Sequence, residues 1–225
     1  MSTVARNKLL AFLILCYFSI GFWALYNLEP SLLTVFIRDL VHKSILGQNI
    51  PAESFYSLDA LFVIVFGGML SYIWLYLERI KRNPSLPMKF SMSLLIMSSG
   101  FFLLVVAIMV TGPHRLISPY FIIGTYFLLA TAELMISPIG TSMVGRLSPE
   151  GMEGRLMGVW QLFTGVAGAM AGLLAQWAVI PEHVQASSGH AIYQSAFSKI
   201  GAMTLIIGLL ALIVRPHILK LIRSK

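Results

Sequence analysis

Six long apolar runs constrain this chain more than any other feature of it. They cover about Leu9–Leu33 (continuing toward Leu40), Tyr56–Leu77, Phe90–Val110, Ile117–Val144, Leu156–Ile180 and Ile192–Val214. A helix that crosses a bilayer needs about 20 mostly apolar residues at a rise of about 1.5 Å each, and every run is long enough. Backbone N–H and C=O groups in hydrocarbon must pair within their own segment, so such runs are helices. The alternating pattern of a membrane β-barrel is absent. The expectation is an all-α membrane protein, residues 1–225 forming a single bundle with helices over about 9–40, 55–80, 89–111, 117–146, 154–180 and 190–222.

Composition supports the bilayer as solvent. The chain is 57% hydrophobic and 11% charged, whereas a soluble domain carries about 25% charged residues. That is too little charge to coat a globule in water, which argues against a soluble enzyme or a disordered region. The net charge of +7 does not indicate nucleic acid, because the basic residues punctuate apolar runs. The single cysteine, Cys16, lies inside the first run and has no partner for an internal disulfide. None of the five histidines stands four residues from another. There is no nucleophile elbow, phosphate loop or metal signature, so neither an enzyme nor a cofactor is expected.

Turn residues separate the runs. Asn83-Pro84-Ser85-Leu86-Pro87, Gly112-Pro113, Ser118-Pro119, Ser148-Pro149-Glu150-Gly151 and Pro181 all stand at breaks, where proline and glycine stop helices by geometry. Pro181 to His190 reads as a surface loop. Arg6 and Lys8 resemble the basic start of a signal peptide, but the run after them is too long and lacks a cleavage motif, so a retained helix is expected. Lysines and arginines at the span ends fall unequally. Arg6, Lys8, Arg79, Lys81, Arg82, Lys89, Arg146, Arg155, Arg215, Lys220, Arg223 and Lys225 lie on one side, and Arg38, Lys43, Arg115 and Lys199 on the other. The richer side faces the cytoplasm, which places both termini inside.

Several polar residues do not belong in lipid, where a charge costs about 2.5–3.5 kcal/mol on insertion scales. Glu133 sits mid-run with no lysine or arginine within a turn. Ser137 shares its helix face, and Pro138 should bend the helix beside it. The group reads as a site, against a structural bond to another helix. Asp59 opens the second helix, where capping and a site role are equal readings. Glu29, before Pro30, either pairs with a neighbour or marks an unwound turn; Asn27 is also polar and poorly hidden from lipid. Trp23 and Trp160 are interfacial anchors or an aromatic wall, and Trp74 and Trp177 read as anchors near helix ends. Gly165, Gly168, Ala169 and Gly172 form a small-residue face that permits close helix approach.

The segments Phe22-Trp23-Ala24-Leu25-Tyr26, Pro30-Ser31 and His42 to Gly47 resemble the seventh helix and following loop of the proton-dependent oligopeptide transporter family, in the major facilitator superfamily. Ser57-Leu58-Asp59-Ala60-Leu61-Phe62 is similar to its eighth-helix motif, and Pro87-Met88-Lys89-Phe90 to the start of its ninth. Glu133 to Gly140, with Met143-Val144 and Leu147-Ser148-Pro149, resembles its tenth, and Gly158-Val159-Trp160 its eleventh. The resemblance implies the C-terminal six-helix half of a major facilitator fold, working with a separate N-terminal bundle or a second copy. It further implies a proton-coupled symporter of di- and tripeptides in a bacterial inner membrane, this half receiving the peptide's amino end. Glu133, Ser137, Asp59, Trp23, Trp160 and Asn27 would bind substrate. The acid that many relatives carry after the helix-seven motif is replaced by Asn27, which cannot titrate, so Glu133, Asp59 and Glu29 are the candidates for proton coupling. Two other readings stay open: a transport-inactive remnant of such a permease, and a membrane scaffold or accessory protein.

Overall fold

The computed structural model describes residues 3–45, 47–113, 115–176 and 186–223. Six of its helical segments are long and apolar enough to cross a membrane: Thr3–Leu40, Ala52–Arg79, Leu86–Thr111, Pro119–Leu147, Glu153–Ala175 and Gly189–Arg223. The first is not one rod. Helix α1 (Thr3–Tyr26) stops at a turn, a wide π-type turn follows at Glu29–Leu33, and α2 (Thr34–Leu40) resumes. The physical cause is Pro30, which has no N–H to donate and widens the turn it enters.

The remaining elements follow the turn chemistry. A short antiparallel pair, β1 (Ser44–Ile45) and β2 (Gln48–Asn49), closes the loop after α2, an element the apolar pattern does not foretell. A 3₁₀ turn at Ala52–Tyr56 leads into α3 (Ser57–Arg79). Helix α4 (Leu86–Thr111) starts with Pro87 in its first turn, where a missing N–H costs nothing. It ends at Gly112, whose φ of 76° only glycine adopts freely and whose N–H donates to the Ile108 carbonyl. Helix α5 (Pro119–Leu147) opens on proline and runs on through Pro138. Helix α6 is Glu153–Ala175 and α7 is Ala186–Arg223.

Two expectations need correction here. The predicted loop to His190 is shorter, because α7 already includes residues 186–190 and buries His190. Its early turns continue from a well-packed segment in which Tyr193 and Phe197 meet Phe36 of α2 with ring centroids 5.1 and 4.9 Å apart. The small-residue face of α6 meets no other helix among the described residues. A Cβ added at Gly165, Gly168 or Gly172 would meet nothing within 4 Å, and the buried side of the helix carries Leu156, Trp160, Ala167 and Ala171. Trp177 and residues 181–185 lie outside the described residues.

The core runs along α4, which packs most extensively on α7 and α5. Phe90, Leu94, Met97, Phe101 and Leu104 are fully buried there. Ser93 Oγ donates to the Ala132 carbonyl of α5 at 2.7 Å, and Ser98 Oγ to the Gly201 carbonyl of α7 at 2.8 Å. These bonds satisfy hydroxyls that lipid would leave unpaired. Helix α3 is the opposite case, because none of its residues is buried. Helix α6 is also largely exposed, with Leu162, Val166 and Leu173 turned outward.

Candidate functional site: carboxyl groups around a tyrosine

Three acidic residues far apart in the chain come together on the inner side of α1, α3 and α5. Glu133 is placed by α5, midway along the helix. It is half-buried, and the hydroxyl of Tyr26, on α1, donates to its Oε2 at 2.9 Å. Asp59, in the first turn of α3, lies within electrostatic reach of Glu133. Its Oδ1 is buried without a hydrogen-bond partner, and the start of α3 shows no side-chain cap. Glu29 opens the π-type turn, is 1% exposed, and has no partner for either carboxyl oxygen. It lies within electrostatic reach of both Asp59 and Glu133.

Tyr26, Tyr56 and Tyr126 lie within electrostatic reach of the acids. Tyr126 sits seven residues before Glu133, two helical turns away on the same face of α5. It is fully buried, with its hydroxyl unpartnered, and interacts electrostatically with Glu29, Asp59 and Tyr56. Sequence reasoning missed Tyr26, Tyr56 and Tyr126. For Tyr26 and Tyr126 the available signal was the polar tip of a ring inside an apolar run, which needs a partner when buried; Tyr56 is exposed and carries no such signal.

The chemistry follows from the count of donors. Tyr26 has one hydroxyl proton, and it is given to Glu133, which leaves both oxygens of Glu29 and Oδ1 of Asp59 without a donor. Among the described residues the one ion pair is Arg38 with Asp39 at 3.0 Å, outside this cluster. No lysine or arginine therefore answers Glu29, Asp59 or Glu133. Carboxylates withdrawn from water without a cation are costly, so a proton or an arriving cation would lower the energy of this cluster.

The other expected residues fall around this centre. Trp23, one turn before Tyr26, meets its ring edge-on with centroids 5.7 Å apart, and its indole N–H is buried without an acceptor. Trp160 is 3% exposed, and its ring lies over Gly140 of α5. Ser137 is half-buried one turn beyond Glu133. Asn27 is exposed, and its side-chain amide donates to the Trp23 carbonyl at 2.7 Å, closing the end of α1. Trp74 carries a cation on its ring: the Lys89 ammonium sits 4.0 Å from the ring centroid. No group of three or more metal-ligating side chains occurs among the described residues.

Known proteins share this arrangement of helices. A family model described as PTR2, the POT family, matches residues 2–209. The dipeptide and tripeptide permease B of Salmonella typhimurium is 30% identical over 225 residues, which is 100% of this chain and 46% of that protein. The permease of the same name from Yersinia enterocolitica is 33% identical over 223 residues, 98% of this chain and 45% of its own length. The chain thus spans less than half the length of these relatives. A crystal structure of the peptide transporter POT in complex with sulfate superposes with a TM-score of 0.86 at 25% identity, covering 100% of this chain and 43% of that one. A POT family transporter in complex with 5-aminolevulinic acid gives 0.82 at 25% identity, over 95% and 42%.

Proposed function

Because the chain belongs to the POT family, we propose that it is the C-terminal half of a proton-coupled symporter of di- and tripeptides, and that it works only beside an N-terminal six-helix bundle. The observation that carries this reading is that Glu29, Asp59 and Glu133 lie within electrostatic reach of one another, with one of them bonded by the Tyr26 hydroxyl and no ion pair to balance them among the described residues. A peptide ammonium supplies that cation. Glu133 is its main partner, with Asp59 beside it and Ser137 one turn along. Trp23 and Trp160 are the aromatic walls for peptide side chains, and Asn27 is exposed at the end of α1 to meet a peptide carbonyl. Glu133, Asp59 and Glu29 are the proton carriers, one of them neutralised by a proton when the peptide is absent.

The transport step needs a second wall. Alternating access in folds of this kind is the rocking of two halves around a site between them. The outward apolar faces of α3 and α6 are consistent with a bundle that packs against lipid on one side and against a partner half on the other. The residues form one domain over 1–225. The chain spans the bacterial inner membrane with both termini in the cytoplasm, the side its lysines and arginines favour.

The test is uptake of a labelled dipeptide into proteoliposomes. The full chain is reconstituted alone and with a separately produced N-terminal bundle from a permease relative. Uptake is expected only with the bundle, rising as the outer pH falls, and lost in Glu133→Gln. No uptake with the bundle would favour a transport-inactive remnant. Uptake insensitive to Glu133→Gln would overturn the role given to that carboxyl group.

A further inference from the structure

We propose that the basic end of the chain holds a phosphate-binding site, formed by the turn before α4, Lys89 and Arg146, which takes the phosphate of an anionic lipid headgroup or free inorganic phosphate. A cavity of about 250 Å³ opens there. Its polar lining is Asn83, Ser85, Lys89, Ser142 and Arg146. None of these belongs to the carboxyl cluster, and the proposal does not depend on peptide transport.

Lys89 is the decisive residue. It lies in the first turns of α4 and is 8% exposed. Its ammonium makes no hydrogen bond or ion pair among the described residues and sits 4.0 Å from the centroid of the Trp74 ring. The residue is packed, yet its ammonium faces the cavity with donors that no described residue takes up, and an arriving acceptor would use them. Arg146, in the last turn of α5, is exposed and reaches the same cavity from another helix. Two like charges are thus brought to one space. Glu78 is the acid within electrostatic reach of Lys89, but it forms no ion pair with it.

The backbone and small polar groups point the same way. Ser85 precedes the 26-residue α4 but makes no capping bond to it, and its Oγ is buried without a partner. The first-turn amides of a helix are donors that an anion satisfies. Asn83 has a buried, unpartnered Oδ1, and a half-turn of its amide offers the NH2 group instead. Ser142 is already committed, donating to the Ile139 carbonyl at 3.0 Å. A lysine and an arginine from two helices, a hydroxyl and helix amides suit a tetrahedral oxyanion with several acceptor oxygens. The site also lies at the end where Arg79, Lys81, Arg82 and Arg155 crowd the span ends. Basic pockets between helices on the cytoplasmic side are where anionic headgroups bind.

The Trp74 ring makes the site self-reporting, because an anion that draws the Lys89 ammonium off the indole changes its emission. The full chain is placed in phosphatidylcholine nanodiscs and titrated with inorganic phosphate at constant ionic strength. In a second arm, phosphatidylglycerol replaces phosphatidylcholine stepwise without phosphate. A saturable change in tryptophan fluorescence is expected in at least one arm and absent in Trp74→Phe. The phosphate arm alone identifies the free ion, and the lipid arm alone the headgroup. Lys89→Gln and Arg146→Gln should each weaken binding about tenfold, the loss of one charge-assisted hydrogen bond. Arg146→Gln alters an exposed residue and tests the idea even if Lys89→Gln folds poorly. No saturable change with either probe, a signal that survives in Trp74→Phe, or unchanged affinity in Arg146→Gln would overturn the proposal.

Discussion

Gly140→Ala is the substitution whose effect the structure determines most directly. Gly140 is buried on α5, and the indole of Trp160 lies against its Cα. A methyl group there would stand 2.5 Å from Trp160 Cη2 and 3.0 Å from Cε2, with Cζ2 nearer still. Carbon atoms settle at about 3.5–4.0 Å, so the ring must retreat by roughly 1 Å. Trp160 is 3% exposed, and an indole is rigid, so the shift passes to its neighbours. Overpacking of this kind costs about 1–3 kcal/mol. For a chain of this length each kcal/mol moves Tm by about 2–4 °C, which gives a fall of about 2–12 °C. The assay is thermal unfolding of the full chain in detergent, followed by tryptophan fluorescence. Gly165→Ala and Gly168→Ala are the controls, because a Cβ at either meets nothing within 4 Å and alanine is the better helix former; their Tm should hold or rise. Pairing Gly140→Ala with Trp160→Leu should recover part of the loss, since the two side chains compete for one space. A Gly140→Ala variant as stable as the parent would refute the close contact, and with it the placement of Trp160 beside the helix that carries Glu133.

Other substitutions probe the remaining elements. Glu29→Leu should raise Tm, because the carboxyl group it removes is 1% exposed with both oxygens unpartnered and such burial costs about 1–3 kcal/mol; a lower Tm would show that Glu29 has a partner. Ser93→Ala and Ser98→Ala should each destabilise by about 0.6 kcal/mol, the mean for interhelical hydrogen bonds in a membrane protein, because each removes a bond from α4 to a neighbouring carbonyl. No change in Tm for both would mean these hydroxyls do not tie the helices. Tyr26→Phe should shift the infrared carboxyl band that Glu133→Gln identifies, by removing the 2.9 Å bond to Glu133 Oε2; an unmoved band would show that the hydroxyl is not bonded to that residue.

The six spans were legible because hydropathy is a local property. Each apolar run carries its own reason to be a helix in lipid, and proline or glycine marks its ends without reference to any other segment. Glu133 was legible for the same reason, as a charge mid-run that hydrocarbon penalises. The family motifs were equally local, and they carried the assignment of fold and family. What the chain order alone could not reveal is which faces meet. Helices that are apolar nearly all round have little sidedness to read, so their rotation about their own axes is set by packing against neighbours. That rotation brings Tyr26 to Glu133 across 107 positions and aims Trp160 at Gly140. It turns the glycines of α6 outward, away from the other described helices, and lays Lys89 over Trp74. The acids were individually visible in the sequence; that three of them stand within electrostatic reach of one another, with one tyrosine bonded to Glu133 and no ion pair to balance them, is a property of the assembled helices alone.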